Sequence, residues 1–143
     1  MPETTTSKPL PAPAPSVSPE SKPYWDATAE GRLLLPRCQA CQTVIWYPRS
    51  FCPLCGSTSL AWFEASGRGT VYSFSINRLG RADVPDYRGV DPYVLAYVEL
   101  DEGPRIMTNI VDCPPESVQV GQPVQVVFHD TGQGSALPRF RPA

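Results

Sequence analysis

Along most of this chain the apolar positions come in short runs, set off from one another by glycine, proline and charged residues. That punctuation predicts β-strands rather than helices. Arg32–Arg37 and Thr43–Tyr47 read as two short strands, followed by Leu60–Glu64. Next comes Gly69–Leu79, where Thr70, Val71, Tyr72, Phe74 and Ile76 are all strand formers. Tyr93–Leu100, Arg105–Val111 and Val124–His129 complete the series. In Tyr93–Leu100 and Val124–Phe128 the apolar residues are almost continuous, as in strands covered on both faces or curled into a barrel. Asp101-Glu102-Gly103 between two strands predicts a tight hairpin with glycine at positive φ, and Val84–Asp91 a long surface loop.

One helix is expected, over about Pro23–Glu30, with Ser21 as its cap, Pro23 in the first turn and Gly31 as its stop. A helix this short holds in water only when docked, so Tyr24 and Trp25 must pack on the rest of the chain or on another subunit. Nothing of helical period follows Glu30. The fold class expected is therefore mainly β, with a short N-terminal helix and about five barrel strands. That count suits an OB-like barrel better than a sandwich, which takes about seven. Residues 1–18 alternate proline with Ala, Ser and Thr and read as a disordered, polyproline-like leader. The organisation expected is leader 1–18, helix 19–31, a cysteine-bearing segment 32–60 and the barrel over 61–143.

The 143 residues leave room for one domain or two very small ones sharing a core. No apolar run approaches the ~20 residues of a membrane-spanning helix. No basic segment followed by an apolar one opens the sequence, so a cytoplasmic protein is expected. In a reducing compartment its five cysteines point to metal rather than disulfides. The net charge of −2 argues against a phosphate-backbone binder, which carries a basic excess or stripe. Both lysines, Lys8 and Lys22, lie near the start, so every later base is an arginine. Arginine is the side chain suited to bidentate recognition of phosphate or carboxylate, but for any single Arg a base composition favouring Arg codons is the preferred account.

Cys38-Gln-Ala-Cys41, ten intervening residues and Cys52-Pro-Leu-Cys55-Gly56 form the strongest motif. Each Cys-x-x-Cys folds into a knuckle aiming two thiolates at one ion, and two knuckles complete a tetrahedron around zinc. Two disulfides or a redox-active pair are the alternatives. Gly56 follows the second pair, where the knuckle turns sharply, whereas Gln42 stands at the matching place in the first. Four sulfur ligands leave no open coordination position, so one structural zinc is expected, stapling a segment too small for its own core.

A self-contained catalytic set does not emerge. His129 is the single histidine and reads as a strand-end residue with one satisfied nitrogen. Gly67-Arg68-Gly69 opens a strand rather than a helix and so lacks the helix N-terminus of a phosphate loop. Cys113 has no base near it in sequence and reads as a small packed residue.

Taken in order, these residues resemble a family. Pro23-Tyr-Trp25, Gly31-Arg-Leu, Arg37-Cys38-x-x-Cys41, Tyr47-Pro-Arg49 and Cys52-Pro-x-Cys55-Gly56-Ser57 are similar to the DUF35 zinc-ribbon/OB-fold proteins. Ser66–Phe74, Pro92–Gly103 and Val120-Gly121 continue the resemblance, which spans nearly everything after the leader. It implies an N-terminal helix, a rubredoxin-like ribbon and a C-terminal OB fold. It also implies an accessory role beside thiolase-superfamily enzymes: acyl-CoA thiolases, acyltransferases and the lipid-transfer-protein-like aldolases of steroid side-chain degradation. In such an assembly, a hetero-oligomer such as α2β2, the partner supplies the catalytic residues. This chain would support the partner's fold and line the acyl-CoA entrance. Tyr24 and Trp25 are then the expected partner anchors, and Arg49 and Arg68 the candidates for CoA phosphates or for the interface. The alternative is a single-stranded nucleic-acid binder stacking bases on Trp46, Tyr47, Phe51 and Tyr72. An independent enzyme is the third reading, which the lack of a convergent acid, base and nucleophile disfavours.

Overall fold

The computed structural model describes residues 8–79 and 83–143. Helix α1 spans Lys22–Ala29 and ends as the sequence predicts. Gly31 takes φ 72°, its N–H reaches Thr28 O, and the Arg32 N–H reaches Ala27 O. These two bonds satisfy the last carbonyls in a Schellman arrangement. Ser21 occupies the N-cap position but makes no side-chain cap. Its hydroxyl is turned back to Ser18, donating to the Ser18 carbonyl, because the chain before the helix is itself packed down.

A two-stranded antiparallel sheet follows, β1 (Leu34–Cys38) with β2 (Leu60–Glu64), in register from Leu34 opposite Glu64 to Cys38 opposite Leu60. The strand expected over Thr43–Tyr47 reduces to a single bridge, Arg37 to Val44. The first knuckle reverses the chain so sharply that only Thr43 O and the Ile45 N–H reach back to β1. The boundary expected between residues 60 and 61 falls inside β2.

The barrel closes in the order β3-β4-β5-β7-β6, with β3 (Arg68–Asn77), β4 (Tyr93–Leu100), β5 (Arg105–Ile110), β6 (Pro123–Asp130) and β7 (Ala136–Pro142). Its fifth strand is thus β7, not Leu60–Glu64. Pro138, Arg139, Arg141 and Pro142 disguise it, and the proline ring removes a ladder donor. They are tolerated because β7 is fully paired only with β6 and meets β5 at one pair, Ile110 with Phe140. Beside that seam the Thr108 hydroxyl donates to Pro138 O at 2.9 Å. The hairpin after β4 turns at Gly103, φ 114°, as predicted.

Val71, Val94, Val98, Ile106, Val124 and Phe140 fill the barrel, and Leu33 and Leu35 of the ribbon and Tyr24 of α1 join the same cluster. Ribbon, helix and barrel therefore share one core. The near-continuous apolar run of β4 is not covered on both faces: Val94, Ala96, Val98 and Leu100 point inward, while Tyr97 on the outer face is 43% exposed.

The disordered leader is corrected for the part described. Residues 1–7 lie outside the described residues, but residues 8–18 run across the barrel with Leu10, Pro11 and Ala12 half-buried. Arg139 donates to the Leu10 and Pro11 carbonyls. An extended proline-rich segment makes no internal hydrogen bonds, so its carbonyls are free for that guanidinium.

Candidate metal centre

The four cysteines come together as the spacing requires, with all four Sγ atoms within 4.8 Å of one another. Cys38 and Cys55 Sγ are 3.6 Å apart, as are those of Cys41 and Cys52. Zinc–sulfur bonds of about 2.3 Å require tetrahedral edges of about 3.8 Å, so the sulfur set fits one zinc ion. The two knuckles repeat the same bonds. The Gln42 N–H donates to Cys38 O at 2.9 Å and the Gly56 N–H to Cys52 O at 2.9 Å. The Cys38 and Cys52 N–H groups in turn donate to Thr43 O and Ser57 O. Both turn residues have positive φ, 64° at Gln42 and 76° at Gly56, so the departure from glycine in the first knuckle is a strained position.

Cys38 and Cys52 are fully buried against Ile45 and Leu60, whereas Cys41 and Cys55 are exposed. Thr43, through its hydroxyl 3.2 Å from Cys41 Sγ and its backbone N–H, holds that thiol down to about 6, toward the thiolate a metal needs. Four sulfurs close the coordination sphere, and the ion's role is structural. Cys113 stands apart, half-buried against the barrel core.

Between ribbon, helix and barrel lies an aromatic junction. Tyr24 meets Trp25, Trp46 and Tyr47 edge-on, with centroids 4.8, 5.2 and 6.3 Å apart. The Trp25 indole N–H donates to Tyr47 Oη at 2.8 Å. Tyr24 was expected to face a partner, but it is only 2% exposed and belongs to the internal core; burial pushes its phenol well above the usual range. Trp25 stays half-buried at the surface. With Tyr47 and Met107 it lines a cavity of about 170 Å³ at the β5–β7 seam, and Met107, 57% exposed, also lines a shallow hollow with Tyr97 and Leu95. This surface escaped sequence reasoning; its signal was the apolar outward positions of β4 and β5.

Arg49 and Arg68 are both exposed, on the ribbon and at the start of β3, and neither forms an ion pair among the described residues. Of the rings considered for base stacking, Trp46 spends its edges on Tyr24 and Tyr47, and the Arg105 guanidinium covers Tyr72 at 3.7 Å. Phe51 remains exposed. Gly67 and Gly69 answer a steric need: a Cβ on Gly69 would stand 2.5 Å from Glu99 O, and one on Gly67 2.4 Å from Val126 Cγ1. His129 keeps its sequence-based role, with one nitrogen satisfied by Arg139.

Comparison with known proteins agrees with this architecture. A family model described as the ChsH2 rubredoxin-like zinc ribbon domain matches residues 25–61, and one described as the ChsH2 C-terminal OB-fold domain matches residues 62–129. The solved structure of an "Ltp2-ChsH2(DUF35) aldolase" superposes with a TM-score of 0.78 at 35% identity, covering 90% of this chain and 98% of that one. A "Benzoylsuccinyl-CoA thiolase subunit BbsA" from Thauera aromatica is 32% identical over 70% of this chain and 74% of its own length. A "Probable enoyl-CoA hydratase alpha subunit" from Thermomonospora curvata is 36% identical over 92% of this chain, which spans 40% of that relative's length. Among the described residues no helix is long and apolar enough to cross a membrane.

Proposed function

This chain belongs to the DUF35 family, in which a ChsH2-type zinc ribbon precedes an OB fold, and on that premise we propose that it is a non-catalytic accessory subunit of a thiolase-superfamily acyl-CoA enzyme. The observation that carries the reading is the apolar surface from Trp25 and Tyr47 across Met107 to Tyr97, left uncovered on an otherwise well-packed barrel. Aromatic and methionine side chains gathered on one face are what interface centres are made of. The zinc ribbon holds Trp46 and Tyr47 against α1, so the metal would act on the partner indirectly, by keeping this surface in shape. The relatives named as an aldolase and as a thiolase subunit support a partner of that chemistry. A place in steroid side-chain degradation, with the partner a lipid-transfer-protein-like aldolase, is the finer form of the proposal. The exposed Arg49 and Arg68 would then face the partner or the phosphates of acyl-CoA.

The test is co-purification of tagged wild type, Trp25→Ala and Met107→Glu from the native host. Wild type should recover a thiolase-like subunit in stoichiometric amount, and both variants should lose it. Met107 is exposed and contributes nothing to the core, so Met107→Glu should fold normally even if Trp25→Ala does not. Undiminished recovery with both variants defeats the proposal.

A further inference from the structure

Arg139 is a buried cation without a buried anion. Phe140, its neighbour on β7, points into the barrel, so Arg139 lies on the outer face, yet it is only 2% exposed. No carboxylate lies within ion-pair distance of it among the described residues. One guanidinium nitrogen donates to His129 Nδ1 at 2.8 Å, which leaves the imidazole proton on Nε2 and the ring neutral. The same nitrogen also reaches Leu10 O at 3.5 Å, the second terminal nitrogen donates to Pro11 O, and Nε is buried with no partner. A desolvated guanidinium held by neutral acceptors, with one N–H unmet, is poorly compensated.

The leader covers its terminal nitrogens, and the leader is lightly tied. Pro9, Pro11, Pro13 and Pro15 carry no N–H and cannot join a ladder. Among the described residues, Lys8–Val17 is held to the barrel by hydrogen bonds from Arg139 and by Lys8 Nζ to Arg88 O. The two carbonyl oxygens beside the guanidinium stand where the oxygens of a bidentate anion would sit.

We propose that Arg139 and His129 form an oxyanion-binding site covered by leader residues 8–12, and that a phosphate or carboxylate group binds there by displacing the leader. The anion gives the guanidinium a charged partner for neutral ones, and the His129 ring keeps the arginine aligned. Arg139 also lines the cavity bordered by Trp25, Tyr47 and Met107, so the site adjoins the proposed partner surface. A titration of the chain alone, with no partner present, separates the failure of one reading from that of the other.

The experiment uses the full zinc-loaded chain, labelled with ¹⁵N, and follows the Arg139 Nε–H signal together with the amides of Leu10, Ala12 and Ala14. Inorganic phosphate and acetate are titrated separately, with sodium chloride holding ionic strength constant. The expected result is a saturable shift of Arg139 and release of the leader amides at the same midpoint; the tighter of the two anions identifies the group recognised. Arg139→Gln should free the leader from the outset and abolish saturation. Arg139→Lys keeps the charge but loses the fork, and should weaken binding at least 10-fold while remaining folded. If neither anion gives a saturable response beyond sodium chloride, or if Arg139 responds while the leader stays bound, the proposal is overturned and the leader is only a structural strap.

Discussion

Gly69→Ala tests how closely the barrel is drawn together at its entrance. Gly69 pairs with Leu100 of β4 on one side and Val124 of β6 on the other. An added Cβ would stand 2.5 Å from Glu99 O and 2.7 Å from Val98 Cγ1. A carbon normally approaches a carbonyl oxygen to about 3.3–3.6 Å, so β3 and β4 must part by close to 1 Å. The carbonyl belongs to the ladder and cannot rotate away as a side chain could. Overpacking of this kind costs about 1–3 kcal/mol, and the backbone partner puts Gly69→Ala near the top of that range. For a chain of 143 residues such a loss lowers Tm by roughly 8–12 °C. The assay is thermal unfolding of the zinc-loaded protein followed by far-UV circular dichroism. Gly132→Ala serves as comparison, since its Cβ meets nothing within 4 Å and only its φ of 77° is strained; it should lose about 1 kcal/mol. If Gly69→Ala is no less stable than Gly132→Ala, the steric account of the Gly67-Arg68-Gly69 motif is wrong.

Removing zinc with a strong chelator should melt the ribbon and leave the barrel. The ribbon's own cluster is only Cys38, Ile45 and Cys52 with Leu60 packed on it, whereas the barrel core is extensive. Near-UV signals of Trp25 and Trp46 should collapse while far-UV strand signal persists, and an unchanged near-UV spectrum would contradict this. Gln42→Gly relieves a positive φ worth about 1–2 kcal/mol. It also loses the Gln42 Nε2 bond to Gln39 O and adds chain entropy of about 0.5–1 kcal/mol to the unfolded state. The net gain expected is up to about 1 kcal/mol, read as slower zinc release to a chelator. Burial first, and the Arg139 charge second, hold the His129 pKa below its ordinary 6.5 against an opposing pull from Asp112. At pH below 6.5 the unfolded chain binds a proton that the folded chain resists, so stability should fall as pH drops through that value and level off below the folded pKa. His129→Asn should flatten the urea midpoint against pH between 7.5 and 5, and an unchanged slope would refute the assignment.

The metal centre was legible in full because Cys-x-x-Cys spacing encodes its own geometry, and Gln42 was already visible as the odd residue in a turn that favours glycine. The helix stop at Gly31 and the hairpin at Gly103 were legible for the same reason, each being a local backbone demand met by one residue. What escaped depended on neighbours far away in sequence. Two prolines and two arginines hid β7, since nothing local reveals that the strand needs a complete ladder on one side only. The leader looked incapable of order because its composition cannot form a core, yet it needs none when a guanidinium on β7 supplies the donors. Tyr24 and Trp25 were adjacent and indistinguishable in sequence, but the helix turns one toward the core and the other toward solvent.

The single pair joining β5 to β7 bears on how the barrel assembles. β3, β4 and β5 follow one another as a meander, and β6 and β7 form a hairpin, so each half can fold from contacts close in sequence. The halves are also joined by the β3–β6 ladder at Arg68, Gly69 and Thr70. Ile110 must find Phe140 across a long stretch of chain, where little is gained until both halves exist. Closure therefore belongs on the downhill side of the folding barrier. Changes at that joint should hasten unfolding and leave the folding rate almost untouched, which makes the lifetime of the native barrel, more than its rate of formation, a property of the seam.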